Sequence, residues 1–193
     1  MVLASTLFLA VPDCILIKKE RIMPMIDITM TEGSISPKKL DELVENLTAA
    51  LIKGEGAPDN EYVRSLSWCF VDQRPLNAVF VGGKVPEKPH YRIVLTVPEG
   101  APRIHGPLMK AERQKLSKIA TELVLDAEGS EHNFENYSRV WVQILEIPNG
   151  HWGAFADIAE IGDIGTFARG EPSIGSATER GMNWRSQFDA TKA

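Results

Sequence analysis

The chain has 193 residues, of which 44% are apolar, enough for one compact domain with a core or for two small domains. Its formal net charge of −5 argues against a nucleic-acid-binding protein, because phosphate recognition requires a basic surface. Two cysteines, Cys14 and Cys69, cannot build a disulfide framework, and without a Cys-x-x-Cys pattern a metal site is not expected.

The chain opens with an apolar run over residues 2–11, shorter than the roughly 20 apolar residues that a membrane span needs. Its basic residues follow the run, whereas those of a signal peptide precede it, so we expect a cytoplasmic protein. The segment is either a strand or arm that packs on the body, or a set of residues that the mature protein lacks.

The first repeat unit begins with a strand predicted over residues 24–33. A helix follows: Ser36 is a candidate N-cap, Pro37 suits the first helical position, and apolar residues recur at helical spacing until residues 54–56. A second strand is predicted over residues 63–71. Strand, helix and strand with short connections indicate a parallel pair with a right-handed crossover.

The second unit repeats this order. Residues 91–100 match the first strand at an offset of 67, and a helical stripe around Leu116, offset by 76, ends at Gly129. A closing strand over residues 138–146 matches its counterpart at an offset of 75, which aligns Arg139 with Arg64 at the start of the two strands.

Two such units predict an α+β fold, a four-stranded sheet with two helices on one face. The other face would be apolar and open, a pattern that favours oligomerisation. The carboxy-terminal residues are rich in Gly, Ser, Thr and charge, so we expect little core there, with Trp184 and Phe188 as candidate anchors. The predicted division is an amino-terminal extension (1–23), a first β-α-β unit (24–90), a second β-α-β unit (91–161) and a carboxy-terminal tail (162–193).

This pattern resembles the tautomerase superfamily, which includes 4-oxalocrotonate tautomerase, cis-3-chloroacrylic acid dehalogenase, malonate semialdehyde decarboxylase and macrophage migration inhibitory factor. The resemblance covers residues 24–160. In the first unit it rests on Met23 and Pro24 at the start of a strand, the turn at Glu32 and Gly33, the following helix and residues 63–64. Residues 77–83 resemble the segment that joins the two halves of the fused members. Residues 149–153 resemble the Gly-His-aromatic-Gly segment of the short members.

The resemblance implies a trimer and catalysis by an amino-terminal proline, without a metal or an organic cofactor. A terminal proline is a secondary amine, and an apolar pocket with nearby cations lowers its pKa by disfavouring the protonated form. The amine then acts as a general base on a small enol or keto acid. In the dehalogenase and hydratase relatives, a protonated proline donates a proton while an acidic residue activates water.

The resemblance also implies roles for individual residues. Pro24 matches the catalytic proline, although prolines also commonly open edge strands. Arg64 and Arg139 match arginines that clamp the substrate carboxylate through paired hydrogen bonds, and the alternative for each is a solvated surface arginine. The candidate substrate-binding residues are Arg103, Arg92 and Trp152, the last of which matches a pocket aromatic and is alternatively a core residue.

Several positions depart from the family pattern. Ser34 stands where the short tautomerases carry a carboxylate-binding arginine, and Pro98 and Ala101 stand where the cis-dehalogenases carry their pair. The water-activating glutamate of the dehalogenases aligns near Ala154, with Asp157 as a candidate replacement. Tyr91 replaces proline in the second unit, so we expect one active site per chain.

The position of Pro24 within the chain bears directly on function. With residues 1–23 attached, its nitrogen is a tertiary amide without a basic lone pair. Met23 directly precedes it, and we hypothesise that residues 1–22 come from a misplaced start or are processed off, so that removal of Met23 exposes the amine. Three functions stay open: a tautomerase of small carboxylated acids, a dehalogenase or hydratase of 3-substituted acrylates, and a non-catalytic trimeric binding protein in which Pro24 is blocked.

Overall fold

A computed structural model of the chain describes residues 23–99, 110–170 and 179–192. No helix within these ranges is long and apolar enough to cross a membrane. The elements in chain order are β1 (Met25–Thr31), α1 (Pro37–Glu55), α2 (Glu61–Leu66), β2 (Trp68–Arg74), a 3₁₀ turn (Leu76–Ala78), β3 (Tyr91–Pro98), α3 (Lys110–Glu128), α4 (Phe134–Tyr137), β4 (Val140–Ile147), β5 (Trp152–Ala154), β6 (Asp157–Ala159), α5 (Ile161–Arg169) and α6 (Glu179–Ala190).

The main sheet has the strand order β2-β1-β3-β4. Within each unit the strands run parallel, and the two units join antiparallel through β1 and β3. The helices α1 and α3 pack together on one face, as the tandem repeat predicts. This α+β arrangement confirms the predicted fold class.

The start of α1 and the ends of both long helices lie where the sequence predicts. Pro37 is the first residue of α1, and Gly56 and Gly129 end the two helices with φ angles of 76° and 82°, a left-handed conformation that favours glycine. Their apolar stripes pack on alternate residues of β1 and β3. The first core includes Ile26, Ile28, Met30, Leu43, Leu47, Leu51, Ile93, Leu95, Leu116, Ala120 and Val124.

The closing strand of the first unit begins later than predicted. Arg64, expected at the start of the strand, lies instead in the short helix α2, and β2 begins at Trp68. The Asn60 side chain accepts a hydrogen bond from the Val63 N–H at 2.9 Å and so caps α2. Asn133 caps α4 in the same way.

From the first helix onward, each position of the second unit lies 73 residues after its counterpart in the first unit. The sequence predicted separations of 76 residues for the helices and 75 for the closing strands. Both α1 and α3 have 19 residues, and Trp68 and Trp141 take equivalent places opposite β1 and β3. Arg139 therefore corresponds to Leu66, and its predicted equivalence with Arg64 is wrong.

The carboxy-terminal residues hold more structure than their composition predicts. The α5 residues Phe167 and Ala168 are fully buried, and the predicted anchor Trp184 on α6 is 6% exposed. Phe188 packs against the same cluster. This second core comprises Met23, Ile52, Val63, Ala159, Ile164, Phe167, Ala168 and Trp184.

The second face of the main sheet, predicted to be apolar, carries large exposed apolar side chains on its two outer strands and polar residues such as Asp27 and Arg92 on its central strands. Trp68 and Phe70 on β2 are 62% and 52% exposed, and Trp141 and Leu145 on β4 are 71% and 49% exposed. We call these four residues the open face.

Candidate active site

Pro24 lies at the end of the sheet where β1 begins. It is buried, and its carbonyl accepts a hydrogen bond of 3.2 Å from the Trp68 N–H at the start of β2. Its neighbours Met23 and Met25 both line a cavity of about 580 Å³. Main-chain pairing with the start of β2 therefore holds the candidate proline between two residues that line the cavity.

The cavity, which we call the β1 pocket, is mainly apolar. Its polar side chains are Ser65, Thr96 and His151. A pocket of this kind disfavours a charged amine, because little water solvates it there. The apolar residues that line it are Met23, Met25, Leu66, Trp68, Phe70, Ile147, Trp152, Ala154, Phe155 and Phe188.

The small hairpin of β5 and β6 supplies one wall of the β1 pocket. Trp152, the predicted pocket aromatic, is the first residue of β5 and lines this wall. Its location brings it into the same cavity as the residues that flank Pro24.

Sequence reasoning did not single out as pocket residues the four other aromatic residues that line it, which are Trp68, Phe70, Phe155 and Phe188. Phe155 lies in the two-residue turn of the hairpin with a φ of 55°, and its ring lies 4.8 Å from that of Trp184. A positive φ at a residue other than glycine costs free energy and is often found at functional sites. The turn lacks the Asn-Gly or Asp-Gly pair that signals such a conformation in a sequence.

The structure holds Arg64 in two ion pairs. Its side chain donates to Asp59 at 2.6 and 2.9 Å and to Glu45 at 2.9 Å. The hydrogen bond with Asp59, followed by that with Glu45, raises the pKa of Arg64, so the guanidinium stays charged. Arg64 does not line the β1 pocket, although the next residue along the chain, Ser65, does.

Arg139 is buried, with 5% of its side chain exposed, and is bound by Glu128. Its two terminal nitrogens donate to the two carboxylate oxygens at 2.9 and 2.6 Å, and one of them also donates to the Pro89 carbonyl at 2.6 Å. This geometry is a bidentate ion pair, which positions the guanidinium firmly.

Arg92 and Arg139 both line a second cavity, of about 360 Å³. Arg92 lies opposite Thr29 on β1, four residues along from Met25, a separation of roughly 13 Å along the strand. The structure therefore groups these two arginines together but not with Pro24. Arg103 lies outside the described residues.

Asp157, the candidate water-activating acid, begins β6 and pairs across the hairpin with Ala154, which lines the β1 pocket. The Ile158 N–H and then Arg180 lower the pKa of Asp157, so this carboxyl is ionised at neutral pH. Within the described ranges, no group of three His, Cys, Asp or Glu side chains is arranged to hold a metal ion.

Several solved structures have a fold similar to that of this chain. N1, a member of the cis-3-chloroacrylic acid dehalogenase family, matches with a TM-score of 0.60 and 18% identity over 86% of this chain and 99% of its own. The R7 fused 4-OT asymmetric trimer matches with a TM-score of 0.53 and 19% identity over 70% and 95%. A macrophage migration inhibitory factor-like protein from Entamoeba histolytica matches with 0.53 and 18% over 71% and 99%.

The chain therefore has the fold of the tautomerase superfamily, the family that its sequence resembles. No protein-family model matches the chain, and no curated protein matches it in sequence.

Proposed function

We propose that the chain is a cofactor-independent enzyme of the tautomerase type, in which Pro24, as the first residue, acts as general base or acid. Its substrate is a small carboxylated keto, enol or unsaturated acid, and its location is the cytoplasm. The observation that carries the proposal is the position of Pro24 at the start of β1, between two residues that line the apolar β1 pocket. Such a pocket favours the neutral amine, which is the form that accepts a proton.

The substrate carboxylate needs a cation at the pocket. We assign this role to Arg64, because the residues that follow it, Ser65 and Leu66, line the β1 pocket. Its side chain is 38% exposed, and its present partners are themselves exposed carboxylates that a substrate carboxylate can replace. Arg103 remains a second candidate, and a role for Arg139 or Arg92 requires a substrate that binds in the second cavity.

The test compares three proteins: the full chain, a chain beginning at Pro24, and that shorter chain with Pro24→Ala. The assay is tautomerisation of phenylpyruvate, followed by ultraviolet absorbance. We expect turnover only in the chain beginning at Pro24, because only this protein has a proline amine. General acid–base catalysis contributes about 10²–10⁴-fold, so Pro24→Ala should lower kcat/KM by about that factor.

Circular dichroism on all three proteins shows whether the helices and strands are retained. Equal rates in the three proteins would contradict the proline mechanism. Intact-mass measurement of the protein from its native source shows whether Pro24 is the first residue, and a retained extension would leave the non-catalytic binding protein as the function.

Dehalogenation or hydration of 3-substituted acrylates is the second candidate function. The observation that favours it is the ionised carboxylate of Asp157 on the hairpin that walls the β1 pocket. Halide release from a 3-haloacrylate by the chain beginning at Pro24, lost on Asp157→Asn, would support this reaction. Halide release that survives Asp157→Asn would exclude Asp157 as the base.

A further inference from the structure

Glu55, the last residue of α1, is buried completely, with an exposed fraction of 0%. Neither of its carboxylate oxygens has a hydrogen-bond partner among the described residues. Burial raises the pKa of Glu55 well above its ordinary value. A buried carboxyl without a partner costs free energy, so its place in the fold calls for an explanation.

The repeat identifies the equivalent of Glu55 in the second unit. At the offset of 73, Leu51 corresponds to Val124 and Glu55 to Glu128, and the helix-ending glycines 56 and 129 also correspond. All the buried positions of α3 coincide with buried positions of α1. The two glutamates therefore take the same place at the ends of equivalent helices.

Glu128 is fully partnered where Glu55 is not. Besides the two bonds from Arg139, Glu128 accepts a hydrogen bond of 2.9 Å from the Tyr91 hydroxyl. Although burial opposes ionisation, the hydrogen bonds from Arg139 and the other donors outweigh it and lower the pKa of Glu128. The second unit thus pairs its buried carboxylate with a cation and a hydroxyl.

The first unit lacks both of these partners. Leu66 stands in the place of Arg139, and Pro24 stands in the place of Tyr91, to which it corresponds at the offset of 67. Because β1 and β2 are parallel, the connecting helix α1 runs back and ends at the level where β1 begins. Glu55 and Pro24 therefore lie at the same end of the first unit.

The charged groups on the neighbouring elements are engaged elsewhere. Arg64 on α2 is bound by Asp59 and Glu45. Asp163 on α5 accepts the Glu160 N–H and lies 3.3 Å from Arg180. Burial is the one cause of the shift at Glu55 among the described residues, so no charged side chain there acts as its partner.

We propose that Glu55 is the acidic partner of the Pro24 amine, its carboxylate accepting a hydrogen bond from the secondary ammonium of a chain that begins at Pro24. The ammonium then supplies Glu55 with the positive charge and the hydrogen-bond donor that Arg139 and Tyr91 supply to Glu128. The inference rests on the proposed function, because it needs the free amine. Glu55 is a positioning residue in this arrangement: it orients the ring nitrogen and sets how tightly the amine holds its proton.

The test measures the pKa of the Pro24 amine directly, by nitrogen NMR titration of ¹⁵N-proline-labelled chains that begin at Pro24. Such chains retain every described element and all of the two cores except Met23. An opposite charge within hydrogen-bond distance raises the pKa of an amine, so Glu55→Gln should lower the pKa of Pro24 by at least about one unit. The rise of kcat/KM with pH should move to lower pH by the same amount.

Glu42→Gln is the matched control, because it removes the same charge from the same helix. Glu42 is an exposed residue about 20 Å along α1 from Glu55, and we expect no change in the Pro24 pKa. An equal Pro24 pKa in the Glu55→Gln protein and the unsubstituted protein would overturn the proposal.

A second variant, Glu55→Met, keeps the proposal testable if Glu55→Gln folds poorly. In the full chain, where Pro24 has no amine, we expect Glu55→Met to raise Tm, because it removes a buried carboxyl without a partner. In the chain beginning at Pro24, we expect it to lower Tm, because it leaves the ammonium unpaired. A rise in both chains would contradict the pairing.

These readouts separate this inference from the proposed function. A shorter chain that is inactive but shows the pKa shift would contradict the enzyme proposal and support the pairing. An active chain in which Glu55→Gln leaves the Pro24 pKa unchanged would support the enzyme proposal and contradict the pairing.

Discussion

At the scale of single residues, the glutamate at the end of the long helix has different partners in the two units. Glu128 and Arg139 form an ion pair that is 9% and 5% exposed, whereas the equivalent Glu55 and Leu66 do not form one. Breaking a buried pair is costly mainly because the remaining charge has no partner. The second unit thus has a structural ion pair at the two positions where the first unit has Glu55 and Leu66.

We predict that Glu128→Gln destabilises the protein by roughly 3 kcal/mol at pH 7, because Arg139 stays buried without a counter-ion. The folded pKa of Glu128 is lowered, so its contribution is present above the unfolded pKa of about 4.3 and is lost as pH falls through the folded value. The stability difference between the two proteins should therefore shrink below about pH 4. Urea unfolding at several pH values measures it.

Glu135→Gln is the control for this prediction, because Glu135 pairs with Lys88 on the surface. We expect no measurable change in stability for this variant. A Glu128→Gln effect that is the same at every pH would show that the ionised form of Glu128 is not what stabilises the fold.

At the scale of elements, the packing of α5 against α6 depends on a close approach at Gly181. A Cβ atom placed there would lie 2.5 Å from the Asp163 carbonyl oxygen and 2.8 Å from the Thr166 Cβ. Since the nearest atom belongs to the backbone of α5, the contact cannot be relieved by turning a side chain. Glycine is thus required for the two helices to form the second core.

We predict that Gly181→Ala destabilises the protein by about 1–3 kcal/mol through overpacking, despite the roughly 1 kcal/mol that alanine gains over glycine in a helix. Gly54→Ala on α1 is the matched control, because its Cβ would meet Leu116 at an ordinary 3.6 Å. This control should be neutral or stabilising. Thermal unfolding of both variants checks the prediction, and equal effects would contradict it.

At the scale of the whole molecule, the open face is the surface that most needs a partner. It presents two tryptophans, a phenylalanine and a leucine on β2 and β4, the two outer strands of one sheet. Apolar patches of this kind mark interaction surfaces in soluble proteins. We propose that this face joins the chains of the homotrimer that the sequence resemblance implies.

We predict a solution mass of about 64 kDa by light scattering, three times the 21.3 kDa of one chain. Trp141→Asp should yield monomers, because it places a charge on the open face. Phe134→Asp is the control: Phe134 is 89% exposed but lies on α4, away from the open face, and should leave the trimer intact. A monomeric unsubstituted chain would contradict the proposal.

The sequence alone predicted the parts of this protein that depend on local chemistry. Helical spacing, Pro37 and the closing glycines are signals within one element, so the two long helices and the order of the repeat could be recognised without a structure. The proline at the start of β1 was recognisable from the family resemblance, because the turn at Glu32 and Gly33 and the helix that follow it lie close to it in the sequence.

Only the tertiary structure showed the features that depend on contacts between residues far apart in the sequence. The pairing of Met25 with Trp68 and of Arg92 with Trp141 sets the true offset of the units and separates Arg139 from Arg64. The polar composition of the carboxy-terminal residues gave no sign that Phe167 would be fully buried. In the sequence, Glu55 is only a residue between two glycines at a helix end. Packing removes its carboxyl from water, and this burial makes it a candidate partner for the Pro24 amine.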